Sequence, residues 1–216
     1  MSVINGSPIF LREAATADDA YQIEKSLRFD EGDSAHLLRT IGSKGNRRIW
    51  TWAAWVKRWD LGNRSTLFSC GDGTSDTGWT AIEIESDDKL RVTGWNTFWK
   101  HTNRLFRDPS AWLHIVVAFD TTQATATDRC KVYINGKKET SFTADNTLTQ
   151  NTEYAVNEGS KPHRIGGIDP AGVNNGFSNF YLSDNHFIDG LALSPAAFGE
   201  FSSAGVWNPK TFALPA

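Results

Sequence analysis

Three tryptophans fall within six residues of one another in the segment 48–58, RIWTWAAWVKR, which carries a basic residue at each end. The side chains of a β-strand point alternately to its two faces. One face of a strand here would carry Trp50, Trp52, Ala54 and Val56, and the other Thr51, Ala53, Trp55 and Lys57. A strand that is apolar on both faces lies between two layers, so this segment predicts the centre of a β-sandwich.

The chain from Ser26 onward consists of short apolar stretches separated by turn residues, which is typical of an all-β sandwich. Residues 79–85 alternate apolar and polar side chains, and residues 90–93 return as the second strand of a hairpin. Residues 112–120 are almost continuously apolar. We therefore predict one domain over residues 26–216, built from two antiparallel sheets.

Three segments are predicted to differ from this pattern. Residues 143–159 are polar and read as a long surface loop. Residues 194–200 read as a helical turn, with Ser194 as its cap and Pro195 at its first position. Residues 1–25 include an alanine-rich stretch and form an N-terminal arm, which is either an anchor to another protein or a flexible leader.

Composition excludes several classes of function. The chain of 216 residues, 39% of them hydrophobic, is long enough for one core without disulfides. A net charge of −3 argues against nucleic-acid binding, and no apolar stretch approaches the roughly 20 residues needed for membrane insertion. Residues 1–8 lack the features of a signal peptide, so we expect synthesis in a cytoplasm, with Cys70 and Cys130 reduced and unpaired.

Four segments follow one another in an order that suggests a family: 52–57 (WAAWVK), 112–120 (WLHIVVAFD), 132–136 (VYING) and 164–167 (RIGG). Each is similar to a strand or hairpin of the concanavalin A-like, laminin G-like domains. The resemblance runs from Ser26 to Trp207 and implies a jelly-roll sandwich.

A fifth segment, 186–200 (HFIDGLALSPAAFGE), is similar to a narrower form of the family found in the particle proteins of tailed phages. Phe180 stands where the family usually has glycine, and Asp184 where it has glutamate. The chain also stops soon after residues 205–209, where the phage form often continues, which favours a complete small protein over one module of a long fibre.

The resemblance implies a non-catalytic virion protein, either a capsid decoration or a tail or fibre component, made in the host cytoplasm. Its implied partners are other virion proteins, reached through the arm 1–25, a host-surface glycan and further copies of itself. The alternatives are a glycoside hydrolase of the same fold and a free carbohydrate-binding module.

The best candidates for contact with a glycan or a protein are aromatic and basic residues close together in the chain: Trp95, Phe98, Trp99, His101 and Arg104. Exposed aromatic rings stack on sugar faces, and Trp and Arg are enriched at protein interfaces. The competing interpretation is that Trp95 and Trp99 close one end of the core. Trp59, next to Arg58, is a weaker candidate.

Two sets of acidic residues are candidates for chemistry. Asp72, Asp76 and Asp120 offer the oxygen ligands that Ca²⁺ prefers, and the family often binds Ca²⁺ at the rim of the sandwich; turn-forming aspartates are the commoner explanation. Glu83, Glu85 and Asp87 stand at alternate positions, in the order E-x-E-x-D, and some glycoside hydrolases of this fold use acids spaced along one strand in the order E-x-D-x-E. Their order does not match the hydrolase pattern, so we expect a solvent-facing strand surface.

Overall fold

The computed structural model of the protein describes residues 21–168 and 176–214. They form two large antiparallel sheets and one small two-stranded sheet. The strands are β1 (Leu27–Phe29), β2 (Leu37–Thr40), β3 (Ile49–Arg58), β4 (Ser65–Gly71), β5 (Trp79–Ile84), β6 (Lys89–Gly94), β7 (Phe98–Leu105), β8 (Leu113–Asp120), β9 (Cys130–Ile134), β10 (Lys137–Lys138), β11 (Phe142–Ala144), β12 (Pro162–Ile165), β13 (Phe180–Asp189), β14 (Gly199–Phe201) and β15 (Trp207–Pro209). The predicted all-β sandwich is confirmed.

The order of the strands defines the two layers of the sandwich. The six-stranded sheet runs β1-β13-β3-β8-β9-β10, and the seven-stranded sheet runs β11-β7-β6-β5-β4-β12-β2. Neighbours pair antiparallel, and long connections carry the chain repeatedly from one sheet to the other. This arrangement is the predicted two-sheet jelly roll.

The core lies between the two sheets and is centred on β3. Trp50 and Trp52 are fully buried on the inner face of this strand, as the alternation predicts. The ring of Trp50 stacks on Phe119 of β8 at a centroid distance of 4.6 Å and reaches Phe68 of the opposite sheet at 6.5 Å. Fully burying a side chain such as Phe119 contributes roughly 1.5–3 kcal/mol, so the contacts of these rings stabilise the sandwich.

Residues 145–159 form a loop, as predicted, but the prediction that this loop lies on the surface is wrong for part of it. Leu148, Tyr154 and Val156 are buried in the main core. Tyr154 meets the ring of Trp99 edge-on at 4.8 Å. The polar composition of the segment conceals these anchors, which close one end of the sandwich.

The outer face of the six-stranded sheet is covered by the C-terminal part of the chain. Phe198 packs there against Ala53 and Val116 in a second hydrophobic cluster. A 3₁₀ turn over Pro195–Ala197 confirms the predicted helical turn, although the side chain of Ser194 does not cap it. The outer face of β3 is therefore buried by the protein itself.

Both cysteines are buried and unpaired, as expected. Burial raises the pKa of Cys130 to about 12 and also raises that of Cys70. A thiol that stays protonated is a poor nucleophile, so neither cysteine is an activated one.

Residues 1–20 of the predicted arm lie outside the described residues. Residues 21–26 run beside β13, where the hydroxyl of Tyr21 donates to Asp184 at 2.9 Å and the hydroxyl of Ser183 donates to the carbonyl of Lys25. The division into an arm and a domain stays a prediction. None of the described helices is long and apolar enough to span a membrane.

Candidate functional site

The candidate site lies on the outer face of the seven-stranded sheet, where β5, β6 and β7 run side by side. Pairing between strands places Glu83 opposite Arg91, and Arg91 opposite His101. Because paired residues point to the same face, their three side chains form one row across the sheet. The inward neighbours Ile82 and Val92 lie in the core.

Charged groups in this row are paired closely. The guanidinium of Arg91 lies 2.6 Å from Glu83 Oε2 and 2.5 Å from Glu85 Oε1. At the end of the row, His101 Nε2 lies 3.3 Å from Asp87 Oδ2. We call Glu83, Glu85, Asp87, Arg91 and His101 the polar row.

Glu83 differs from the expected solvent-facing carboxylate. Glu83 is 0% exposed, so the prediction of a solvent-facing strand surface is wrong at this position. Burial, and then a hydrogen bond with Glu85, raise its pKa to about 7, against the opposing charge of Arg91. Glu83 is therefore ionised at a higher pH than an exposed glutamate.

An exposed aromatic ring stands on the same sheet. Trp95 is 38% exposed and meets the buried ring of Trp79 edge-on at 6.1 Å. The turn that carries it is held by Asp76, whose carboxylate accepts the N–H of Asn96 at 2.7 Å and the hydroxyl of Thr97 at 2.6 Å. Trp95 is thus presented to solvent by a well-bonded turn, and we call Trp95 and the polar row the tryptophan patch.

Two of the predicted contact residues lie elsewhere. Trp99 is 1% exposed and packs in the core against Phe119 and Tyr154, so the core interpretation is correct for this residue. Arg104 extends away and pairs with Glu139 at 3.4 Å. Phe98 is the first residue of β7, and its backbone pairs with Thr93.

The weaker candidate, Trp59, is also separate from the patch. It is 38% exposed, and the guanidinium of Arg28 lies 5.1 Å above its ring. Arg58 is not part of this surface, because it is buried and donates to Asp88 and to the carbonyl of Phe106, both at 2.8 Å.

Of the three predicted calcium ligands, Asp72 and Asp76 lie in the connection between β4 and β5, and Asp120 is the last residue of β8. Asp72 pairs with Lys161 at 2.6 Å, Asp76 holds the Trp95 turn, and Asp120 accepts the hydroxyl of Thr122 at 2.6 Å. Within residues 21–168 and 176–214, no three His, Cys, Asp or Glu side chains form a group that could hold a metal ion. Calcium binding stays a prediction without an assembled set of ligands.

Sequence reasoning missed a groove on the outer face of the six-stranded sheet. This groove of about 1120 Å³ has residues 21–26 along one side and residues 208–211 along the other. Trp55 and Trp112 line it. The alternation in β3 did predict that Trp55 faces outward, but not that residues 21–26 and 208–211 would lie beside it. We call this the six-sheet groove.

The match to a family model agrees with the fold. The model described as the concanavalin A-like lectin/glucanases superfamily matches residues 30–181, so the chain belongs to this superfamily. A search of curated proteins finds no match.

Solved structures share the same sandwich. A heptameric SAP-like pentraxin from Limulus polyphemus aligns with a TM-score of 0.50 and 19% identity, over 75% of this chain and 74% of that one. Trypanosoma rangeli sialidase in complex with the inhibitor DANA aligns with a TM-score of 0.53 and 16% identity, over 82% of this chain. The match spans only 27% of the sialidase chain. At these identities the likeness shows the fold alone.

Proposed function

We propose that this chain is a non-catalytic structural protein of a tailed-phage particle, and that its lectin-like sandwich binds a host-surface glycan through the tryptophan patch. The observation that carries glycan binding is Trp95, an exposed ring at the end of β6, on a turn whose residues Asn96 and Thr97 are hydrogen-bonded to Asp76. Sugar sites combine such a ring, which covers the apolar face of the sugar, with polar groups that bind its hydroxyls. In this proposal Arg91 and His101, which lie across β6 and β7 on the same sheet, supply those polar groups.

The particle assignment is supported by the resemblance of residues 186–200 to tailed-phage proteins. In this proposal the protein is made in the host cytoplasm and joins the capsid as a decoration, or the tail as a fibre component. The arm 1–25 contacts other virion proteins, and the particle symmetry brings several copies together.

The absence of catalysis is supported by the position of the two acids. Glycoside hydrolysis needs two carboxyl groups that flank the bond and contact the substrate. Glu83 is covered completely, and Arg91 bridges it to Glu85 at 2.6 and 2.5 Å. A buried acid that is tied to its neighbour cannot reach a glycosidic oxygen.

A glycan array tests the binding proposal. The full chain should bind a subset of bacterial surface glycans, and Trp95→Ala should weaken that binding at least roughly tenfold, as expected for a central aromatic contact. Leu61→Ala is the control, because it removes an equally exposed apolar side chain outside the patch. Unchanged binding by Trp95→Ala, with thermal unfolding also unchanged, would refute the role of the patch.

The raised pKa of Glu83 favours one second candidate, a glycoside hydrolase, since a carboxyl that is protonated near neutral pH is suited to act as a general acid. Hydrolysis of labelled bacterial polysaccharide by the purified chain, abolished in Glu83→Gln and Glu85→Gln, would establish that candidate. We expect no such activity in any of the three proteins.

A further inference from the structure

Strand β2 (Leu37–Thr40) forms one edge of the seven-stranded sheet. Among the described residues it pairs only with β12, so its other side presents unpaired backbone groups. The carbonyl of Ile41 accepts the N–H of Ser160 on the β12 side at 2.8 Å, and backbone groups alternate in direction along a strand. Leu38 and Thr40 therefore direct their N–H and C=O groups towards the open edge.

The sequence of β2 does little to protect this edge. Exposed edge strands are commonly very short, or carry lysine, proline or a bulge that prevents pairing with another chain. β10, at the edge of the six-stranded sheet, is only two residues long, Lys137 and Lys138. β2 has four exposed residues with a single charge, at Arg39, and its two leucines, Leu37 and Leu38, are 48% and 55% exposed. This edge is therefore suited to accept a further strand.

A groove of about 620 Å³ runs along the same edge, and we call it the β2 groove. Leu37 and Leu38 both line it, although successive side chains of a strand point to opposite faces, so the groove reaches past the strand itself. Half-buried Ile165 and Phe187, from the two opposing sheets, form its apolar floor, and Phe187 stacks on buried Phe68 at 5.7 Å. The β2 groove thus offers apolar contact surface beside the open backbone groups.

The charges of the β2 groove favour an acidic ligand. The side chain of Arg39 is exposed, and no carboxylate among the described residues lies within ion-pair distance of it. Asp189, the one acid in the described lining, already accepts the backbone N–H of Asn46 and the side-chain N–H of Asn157, both at 2.8 Å. His163 is neutral at Nε2, which accepts the backbone N–H of Asn157 at 3.0 Å. A negative group bound here would give Arg39 its partner.

Three occupants can be compared with these features. A second copy of β2, with the sequence LLRT, brings a base and no acid, so self-pairing leaves Arg39 without an ion pair. A small apolar molecule would leave the backbone groups of Leu38 and Thr40 unpaired. An extended peptide fits the backbone edge, the apolar floor and the charge together. Since Leu37 and Arg39 point to the same face, the apolar and acidic residues of such a peptide stand two positions apart.

We propose that β2 is a docking edge for an extended segment of a partner protein, in which an apolar and an acidic residue are two positions apart. The segment adds to the seven-stranded sheet as a further strand beside β2. Its apolar side chain contacts Ile165 and Phe187, and its carboxylate pairs with Arg39. β12 and β4 separate this edge from the strands of the tryptophan patch, so docking here is independent of glycan binding.

Two fluorescein-labelled octapeptides, TVTVTDTT and TTDTVTVT, test this edge by fluorescence polarisation with the full chain. Both place an aspartate two positions from a valine, and their reversed orders allow for either strand direction. Each has a counterpart with lysine in place of aspartate. We expect one aspartate peptide to bind at least roughly tenfold tighter than its lysine counterpart, the value of one charged hydrogen bond. Arg39→Glu should reverse this preference, whereas Lys137→Glu, an equal change of charge on β10, should keep it.

Methylation of the peptide backbone tests strand addition separately from side-chain contacts. Alternate N–H groups of an added strand point towards β2, and the others point away from it. Methylating two N–H groups of the first set should abolish binding, and methylating two of the other set should largely preserve it. Equal effects of the two methylated peptides would overturn strand addition.

Other results would also overturn the proposal. One is that no peptide binds at millimolar concentration. Another is that Arg39→Glu, with unchanged thermal unfolding, still prefers aspartate. A dimer of the full chain that Arg39→Glu dissociates and no peptide dissociates would assign the edge to a second copy. If Arg39→Glu does not fold, the aspartate–lysine comparison and the methylated peptides decide on the parent chain.

Discussion

His114 is the second residue of β8, and its ring is surrounded by those of Trp55, Phe198 and Trp207 at centroid distances of 5.0, 6.2 and 5.9 Å. The indole Nε1–H of Trp207 donates to His114 Nδ1 at 3.1 Å, so this nitrogen must be unprotonated. Burial, with a smaller contribution from the charge of His186, lowers the pKa of His114 to about 4. A single neutral histidine therefore fastens β15 to the six-stranded sheet.

This histidine should make the protein sensitive to acid. Its pKa in the folded state lies below the unfolded value of 6.5, so its contribution to stability is complete above pH 6.5 and is lost as the pH falls towards 4. We expect the loss to reach roughly 3 kcal/mol, measured by urea denaturation between pH 7 and pH 4. His114→Gln should flatten this dependence, and exposed His36→Gln should not. An equally steep loss in His114→Gln would contradict the assignment.

Glu83 should give stability the opposite pH dependence, because its contribution is lost as the pH rises. Its folded pKa of about 7 lies above the unfolded value of 4.5, so its contribution is complete below pH 4.5 and is lost as the pH rises through 7. Glu83→Gln should therefore match the parent chain at pH 5 and exceed its stability by roughly 2 kcal/mol at pH 8. Exposed Glu31→Gln serves as the control. A Glu83→Gln protein that is less stable at pH 8 would show that the carboxylate is ionised and well paired.

At the scale of strands, most elements could be predicted because their side chains alternate regularly. The two faces of β3 and the hairpin of β5 and β6 follow directly from the order of apolar and polar residues. The sequence pattern did not distinguish Trp95, which is exposed, from Trp99, which is buried. The register between β6 and β7 shifts between Val92 and Thr93, and this bulge helps to determine that the ring of Trp99 points inward. Such a bulge leaves no trace in the composition.

Arg58, at the end of β3, is another residue whose burial the sequence did not show. The sequence suggested a basic residue flanking the strand, yet its side chain is buried against Asp88, which also accepts the N–H of Gly62 and pairs with Arg107. Burial acts to raise the pKa of Asp88, but these donors outweigh it and lower the pKa to about 2. The cluster joins the end of β3 to the turn before β6.

Breaking this cluster should be costly. Arg58→Ala leaves a buried carboxylate without its main partner, and we expect a loss of roughly 3–5 kcal/mol in the free energy of unfolding, measured by urea denaturation. Arg107→Ala is the matched control, because its more exposed side chain should contribute less than about 1 kcal/mol. Similar losses in both variants would contradict the buried pairing of Arg58.

At the scale of the whole molecule, the sandwich presents different surfaces on its two sheets. The tryptophan patch depends on neighbouring strands, so part of it, Trp95 and His101, could be predicted from the sequence. The six-sheet groove could not, because its walls come from residues 21–26 and 208–211, far apart in the chain. The alternation of side chains in β3 predicted that Trp55 points outward. It could not predict which other segments of the chain lie beside that ring.

The assignment to a phage particle is the central claim at this scale, and quantitative mass spectrometry of purified virions from the source phage tests it most directly. The measurement counts copies of this chain per particle. We predict either a number close to that of the major capsid protein, for a head decoration, or a small number that matches the tail symmetry, for a fibre component. Absence of the chain from purified virions would contradict the claim.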